Sequence, residues 1–442
     1  MIKMMKPILL FTLTLPMLLS PIISTAQQQD SVYTLDYLDK STRFAWTTFG
    51  MDLLALNGGT SEYLDPIGNR QTTSWSGSAA PRLTIGGIHF YGHADFYVTF
   101  PLNFLSFGQS TPDAFRQMIH ESGIETGIRL YPVPIKPGAL RPYAGISFRS
   151  LSFGFEPQNS GFTKAFPLYE RFVYPLQAGL TYATSRHLIS VGVHYQTTRS
   201  IRYALSETEM GTVEFEPLSF QFGILKYIDT DRGARSRNGA AAFNARHALL
   251  RERKALSGVY VGIGPSSFLQ TRTSPLVANQ YPHLSGDNLN AFTVDLTAGY
   301  YFHRPDMNIG LAYRGIGSRM KAIDDEIEVR RRSLMLEAYK FLFNYRGFVP
   351  FLGVTGSMEF LKAELNGNSR TETKPALGIV FGWDIRVVNT ETWLLRTNLR
   401  YVPGLEMELN GDQVALDHLE FNFIQFVYFP GRKKAYKSAR IE

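Results

Sequence analysis

The sequence predicts an all-β fold, a transmembrane antiparallel β-barrel of about sixteen strands, on three observations. Apolar and polar residues alternate one by one through most of the chain, with hardly any helical periodicity in competition. The connections between these segments alternate between tight and long. An export leader precedes them all.

The leader comes first. Met1 to Lys6 carries two lysines, Ile8 to Ile23 is apolar, and Ser24-Thr25-Ala26 precedes Gln27, the layout of a secretory signal peptide cleaved after residue 26. The mature chain is then expected to span residues 27–442, exported and integral to an outer membrane after cleavage. With no cysteine there is no disulfide framework, no thiolate metal site and no lipid-modified cysteine. No later apolar run reaches the roughly 18 residues of a spanning helix, whereas barrel strands need only every second residue apolar.

Strands are expected in a first half near 42–56, 81–91, 94–104, 121–132, 141–153, 171–183, 187–199 and 212–228. A second half repeats the layout near 257–269, 289–302, 307–316, 333–343, 349–361, 376–388, 392–402 and 417–429. Three segments show the alternation clearly. Phe292, Val294, Leu296, Ala298, Tyr300 and Phe302 oppose Thr293, Asp295, Thr297, Gly299 and Tyr301. Ile379, Phe381, Trp383 and Ile385 oppose Gly378, Gly382, Asp384 and Arg386, and Leu395, Leu399 and Tyr401 oppose Arg396, Asn398 and Arg400. One face suits lipid and the other water. An aromatic content of 13% suits the interfacial girdles of such a barrel.

Tight turns fall at Tyr91-Gly92-His93, Thr184-Ser185-Arg186, His303 to Asp306, Asn344 to Gly347 and Asn389-Thr390-Glu391. Between them stand longer polar loops at 57–80, 270–288, 317–332 and 362–375. The exception is 230–256, a long basic linker on the short-turn side whose stretch from Ala240 to Leu256 reads as a helix. It separates halves 31–229 and 257–429, which resemble each other at a spacing of roughly 200–210 residues and point to internal duplication. Pro142-Tyr143-Ala144-Gly145, for example, recurs as Pro350-Phe351-Leu352-Gly353.

Glycines recur on the polar face at Gly127, Gly145, Gly192, Gly223, Gly262, Gly299 and Gly378, and each half closes on an aromatic strand. On these features each half resembles the eight-stranded outer-membrane β-barrel family of Gram-negative bacteria, and the whole is porin-like. The resemblance departs from the family at the end, where a basic tail follows Phe429. Two architectures remain: one wide barrel of about sixteen strands, the first expectation, or two tandem eight-stranded barrels with filled interiors. Inward glycines and inward charge pairs favour the second.

Asp95, Glu125, Arg129, Arg149, Asp295, Arg314, Asp384, Arg386, Arg396 and Arg400 are the expected lumen-facing charges. Lining a wide lumen, they would sort small polar solutes, so a channel is the first functional expectation. The alternative is a scaffold barrel that binds a periplasmic or surface protein through its basic linker or tail. A barrel enzyme acting on lipid or peptide is the weakest reading. His283 with Ser285 and Asp287, and His93 with Asp95, have no catalytic spacing, so no catalytic residue is assigned. No cofactor, metal site or nucleic-acid partner is expected. The acidic run Asp324-Asp325-Glu326 with Glu328 is offset at once by Arg330-Arg331-Arg332 and reads as a solvated hairpin extension. The net charge of +7 sits mostly in 229–256 and the tail.

Overall fold

A computed structural model of the chain describes residues 46–158, 166–228, 237–284, 291–345, 347–386 and 392–438. The signal-peptide expectation, Ser285, Asp287 and the turn at Thr390 lie outside them.

The strands close into two separate eight-stranded rings, the second of the two architectures, and not one wide sheet. The first ring runs β1 (Trp46–Leu56), β4 (Ser78–His89), β5 (Ala94–Pro101), β6 (Phe115–Leu130), β7 (Ala139–Pro157), β9 (Leu176–Ala183), β10 (His187–Tyr195) and β13 (Leu218–Ile228). Its last strand returns to its first, with Met51 opposite Ile224. The second runs β14 (Gly258–Gln270), β15 (Ala291–Phe302), β16 (Met307–Ala322), β17 (Asp325–Phe341), β18 (Phe348–Leu365), β19 (Asn368–Ile385), β20 (Trp393–Val402) and β23 (His418–Tyr428). It closes β14 on β23, with Ile263 opposite Phe426. The segments judged alike in sequence hold equivalent places: Pro142 to Gly145 opens the fifth strand of one ring and Pro350 to Gly353 the fifth of the other.

The β4–β5, β6–β7 and β9–β10 connections of the first ring and the β15–β16, β17–β18 and β19–β20 connections of the second all lie at the end where the rings begin and finish, so both barrels stand in one orientation. At the other end the long connections fold. In the first ring, β2 (Gly59–Leu64), β3 (Arg70–Trp75), β11 (Ser200–Ala204) and β12 (Met210–Phe215) form their own sheet, and β8 (Leu168–Val173) extends β7. In the second, β21 (Glu406–Leu409) pairs with β22 (Asp412–Ala415) beside the short helix α2 (Pro275–Gln280). The linker between the rings ends in helix α1 (Arg237–Glu252), and the last described element is helix α3 (Pro430–Ser438).

The expected polar loops at 317–332 and 362–375 are instead strand. Residues 307–341 and 348–385 form two hairpins whose arms run 16 to 18 residues, where about ten tilted residues cross a band roughly 25 Å tall. The surplus stands beyond the membrane, and β18 shows where the boundary falls. Outward residues pass from Met358 and Phe360 to Lys362 and Glu364, while inward ones pass from Ser357 and Glu359 to Leu361, Ala363 and Leu365. Outside is apolar in lipid and charged in water, and the interior inverts in step. Asn366 and Gly367 close this hairpin with positive φ of 49° and 89°, the two-residue turn that Asn-Gly favours.

The apolar outer face is continuous around much of both rings: Phe49, Met51, Val191, Phe220, Phe222 and Ile224 on the first, and Val261, Ile263, Leu296, Leu311, Leu336 and Val354 on the second, all stand exposed. Open apolar surface on this scale, wrapped around a polar interior, requires lipid as its solvent. The two rings are built as membrane-spanning β-barrels, apolar outside and polar within. The rings also touch one another. Phe90 and Phe96 meet Phe348 and Trp383 with ring centroids 5.3 and 5.9 Å apart, and at the long-loop end the Tyr169 hydroxyl donates to the His283 carbonyl at 3.3 Å.

Candidate functional site: the two barrel interiors

Each interior is filled in three tiers. At the short-turn end lies an aromatic floor. In the first ring this is Trp46, Ile88, Tyr131, Tyr143, Leu188 and Leu225; in the second, Tyr260, Tyr301, Tyr339, Phe341, Phe351 and Phe429. Glycines make room for these rings: a Cβ at Gly179 or Gly192 would overlap the Tyr143 phenol, and one at Gly299 or Gly310 the Tyr260 hydroxyl. Of the inward glycines read from sequence, Gly127, Gly192 and Gly299 make room for a tyrosine, whereas Gly145, Gly223, Gly262 and Gly378 lie against backbone or non-aromatic side chains.

The middle tier of the first ring centres on Arg82, fully buried. Its Nε and Nη2 donate to the two oxygens of Asp52 at 2.6 and 3.1 Å, and its Nη1 to Glu125 at 2.7 Å. Asp52 also accepts from Thr84 at 3.0 Å and Gln221 at 2.6 Å. Glu125 accepts from the Tyr97 hydroxyl at 2.8 Å and has Arg149 at 3.9 Å. Arg129 donates to Gln221 at 2.9 Å, has Asp95 at 3.5 Å, and lies 4.2 Å over the Tyr97 ring. Such cation–ring contacts help offset the desolvation of a buried guanidinium.

In the second ring Arg314 donates to Asp295 at 3.3 Å and to Glu337 at 3.0 Å, and pairs with Glu420. Arg400 lies 2.9 Å from Asp295 and 2.6 Å from Glu337. Arg331 binds Glu359 and Glu420 at 2.5 and 3.3 Å. Arg396 grips Asp384 with two hydrogen bonds of 2.7 and 3.0 Å and faces the rings of Tyr260, Tyr339 and Phe351. Above these networks an apolar tier closes each barrel: Leu54, Trp75, Phe153, Phe155, Tyr203 and Phe215 in the first, and Phe268, Leu276, Leu361, Leu365, Met407 and Leu416 in the second.

Nine of the ten charges expected on the inner face are at most 2% exposed within these networks: Asp95, Glu125, Arg129, Arg149, Asp295, Arg314, Asp384, Arg396 and Arg400. Arg386 differs. It lies just past β19 at the barrel's foot, partly exposed, 3.9 Å from Asp306 and over the Phe341 ring at 4.8 Å. Sequence reasoning missed Arg82, Asp52, Arg331, Glu337, Glu359 and Glu420, of which all but Arg331 alternate with apolar outward neighbours in the same way. Arg331 was hidden in a run taken for a loop, though its neighbours divide cleanly: Arg330 and Arg332 point out while Arg331 points in.

Of the histidines weighed for chemistry, His283 bonds Asp325 at 2.6 Å beneath the contact with Tyr169, and His93 meets the Tyr131 carbonyl at 2.9 Å. Among the described residues no three or more His, Cys, Asp or Glu side chains group as a metal site.

No protein-family model matches the chain, and no curated protein matches it. Solved structures do. Neisserial surface protein A is 18% identical over 39% of this chain and 98% of its own, with a TM-score of 0.30. The outer membrane protein OprG from Pseudomonas aeruginosa is 15% identical over 42% and 97%, with a TM-score of 0.31. An outer membrane channel from Pseudomonas putida F1 is 9% identical over 88% and 97%, with a TM-score of 0.20.

Proposed function

We propose that this chain is a non-conducting tandem barrel, a rigid outer-membrane scaffold delivered by its signal peptide and presenting a folded surface to a protein partner outside the cell. The observation that carries this reading is the three-tier filling of both rings. A solute crossing either barrel would have to displace an aromatic floor, break buried Arg–carboxylate networks and part an apolar cap. Eight strands leave an interior just wide enough for side chains, so the transverse field expected of a wide channel has no water-filled bore in which to act. The mixed charges are instead the polar counterpart of a core, each carboxylate held by guanidinium groups.

The face for a partner is the loop between β5 and β6. Phe104, Leu105 and Phe107 are 82%, 49% and 58% exposed there. The loop is nonetheless fixed: the Leu102 amide donates to the Pro81 carbonyl at 2.9 Å and Phe107 bridges to Ala79. A rigid exposed apolar patch marks a binding surface. The His283–Asp325 pair joins the packing between the rings, a structural role that needs no nucleophile. Planar bilayers test the proposal: inserted protein stays electrically silent. Regular stepwise conductance would overturn it and restore the channel.

A further inference from the structure

The geometry points to a cationic collar at the short-turn end of both barrels that binds the headgroups of anionic phospholipids in the periplasmic leaflet. This goes beyond the scaffold reading and rests on its own observations.

The first observation is register. On β13 the outward face runs Phe222, Ile224, Lys226, and on β17 it runs Leu334, Leu336, Ala338, Lys340. In each ring a lysine therefore follows directly on lipid-facing residues at the same end, where its stem lies along hydrocarbon and its ammonium reaches the headgroups. Helix α3 starts at the same level. Phe426 faces lipid, Tyr428 follows one step nearer the boundary, and Pro430 opens the helix, which places exposed Lys433 and Lys434 beside the headgroup layer.

The second observation is that α3 is held in place. Arg432 donates to the Leu256 carbonyl at 2.7 Å and lies 4.0 Å over the Phe429 ring of the floor. Arg253, just past α1, donates to the Ala435 carbonyl at 3.1 Å. These two arginines hold the helix under the second barrel and leave the lysines on its open side.

The third is charge asymmetry along the barrel axis. At the long-loop end charges are mixed and matched, as in Arg319 with Glu326, Arg370 with Glu372 and Arg272 with Glu406. At the foot, Lys226, Arg304, Lys340, Lys433 and Lys434 are exposed and take part in no ion pair among the described residues. The acid beside them, Asp306, is engaged by Tyr301 at 2.7 Å and by Arg386. Lipid phosphate is the occupant that fits, because headgroups surround the collar on every side at the height where these cations emerge.

The test uses the purified full-length chain in mixed micelles of phosphatidylglycerol and phosphatidylethanolamine at equal mole fraction, with retained lipid counted by mass spectrometry. Wild type retains phosphatidylglycerol preferentially, on the order of fivefold per engaged cation at low salt. The preference falls towards unity in K226E/K340E/K433E/K434E and in high salt. Heat-modifiable gel mobility verifies that the variant is folded, and K433E/K434E alone gives a partial loss. Equal retention of the two lipids by wild type, or an unchanged preference in the fourfold variant, would overturn the collar. So would capture from native membranes of an acidic periplasmic protein, abolished by K433E/K434E, with no lipid preference. None of these outcomes bears on conductance, so the scaffold reading stands or falls separately.

Discussion

Replacing Arg82 by methionine separates a filled barrel from an open one. Arg82 is fully buried and joins Asp52 to Glu125 through three charge-assisted hydrogen bonds. Methionine is of similar length and needs no hydrogen bond, so its own burial is cheap. The damage falls on the carboxylates. Asp52 keeps Thr84 and Gln221, Glu125 keeps Tyr97 and the more distant Arg149, and neither retains a close cation. Removing one partner of a buried ion pair costs about 3–5 kcal/mol, which at an m-value of about 3 kcal/mol/M lowers the urea midpoint by roughly 1–1.7 M. The assay is urea titration of the chain in lipid vesicles, followed by tryptophan fluorescence, with Trp46 and Trp75 reporting the first ring and Trp383 and Trp393 the second. Only the first-ring transition shifts, and adding D52N and E125Q restores much of the loss. In a water-filled lumen the same carboxylates would be solvated and the substitution would cost under about 1 kcal/mol. That result, or a gain of cation conductance, would refute the filled interior.

Three further outcomes follow from the same geometry. Phe351→Ala empties the floor of the second ring, where the side chain is fully buried, and lowers that ring's stability by about 3–5 kcal/mol in the same titration. Leu336→Arg, on the outer face of β17 at 53% exposure, costs about 2–4 kcal/mol in vesicles if lipid touches it, against almost nothing for a surface exposed to water. The carboxyls of Glu328 and Glu372, in the hairpin extensions, are held below their ordinary value by hydrogen bonds from Arg330 and Lys374. A depressed carboxylate contributes stability above its unfolded value and loses it as pH falls through the folded one. The protection factors of amides at the tips of the β16–β17 and β18–β19 hairpins, exchange rates divided out by the intrinsic rate at each pH, should therefore be level from pH 8 down to the ordinary 4.5 and fall only below it.

The inside-or-outside assignment of most strand residues was legible, because a period of two needs no knowledge of neighbours. Asp295 between Val294 and Leu296 can only face the bore. Ring closure was not legible, because alternation says which way a side chain points but not which strand lies beside it. The pairing of Met51 with Ile224, far apart in the chain, depends on strand stagger and bore width. The clue was present in small residues: a tyrosine lying flat over glycines of the next two strands, as Tyr143 lies over Gly179 and Gly192, belongs to a tightly curved wall. The hairpin extensions, read over Asp324 to Arg332 as a solvated hairpin extension but elsewhere as loops, were only partly legible for a different reason. At the membrane boundary the apolar side of β17 and β18 changes hands, so Arg330 to Arg332 and Lys362 to Glu364 looked uniformly polar. Asn366-Gly367 and Asn410-Gly411 nonetheless announced tight turns between strands. The helix expected at Ala240 to Leu256 lies a few residues earlier, at Arg237–Glu252.

Engineered disulfides examine the two-ring architecture at its seams, and a chain with no native cysteine makes the experiment clean. Met51 and Ile224 face each other across the first seam, Ile263 and Phe426 across the second, all four on the lipid face. Facing residues of neighbouring strands hold their Cβ atoms about 4.5–5.5 Å apart, near the span of a disulfide. M51C/I224C and I263C/F426C should each crosslink in native membranes on mild oxidation, read as a shift in gel mobility. If neither pair crosslinks, while cysteines placed to join β13 to β14 do, the two rings are one sheet and the sealed tandem barrel is wrong.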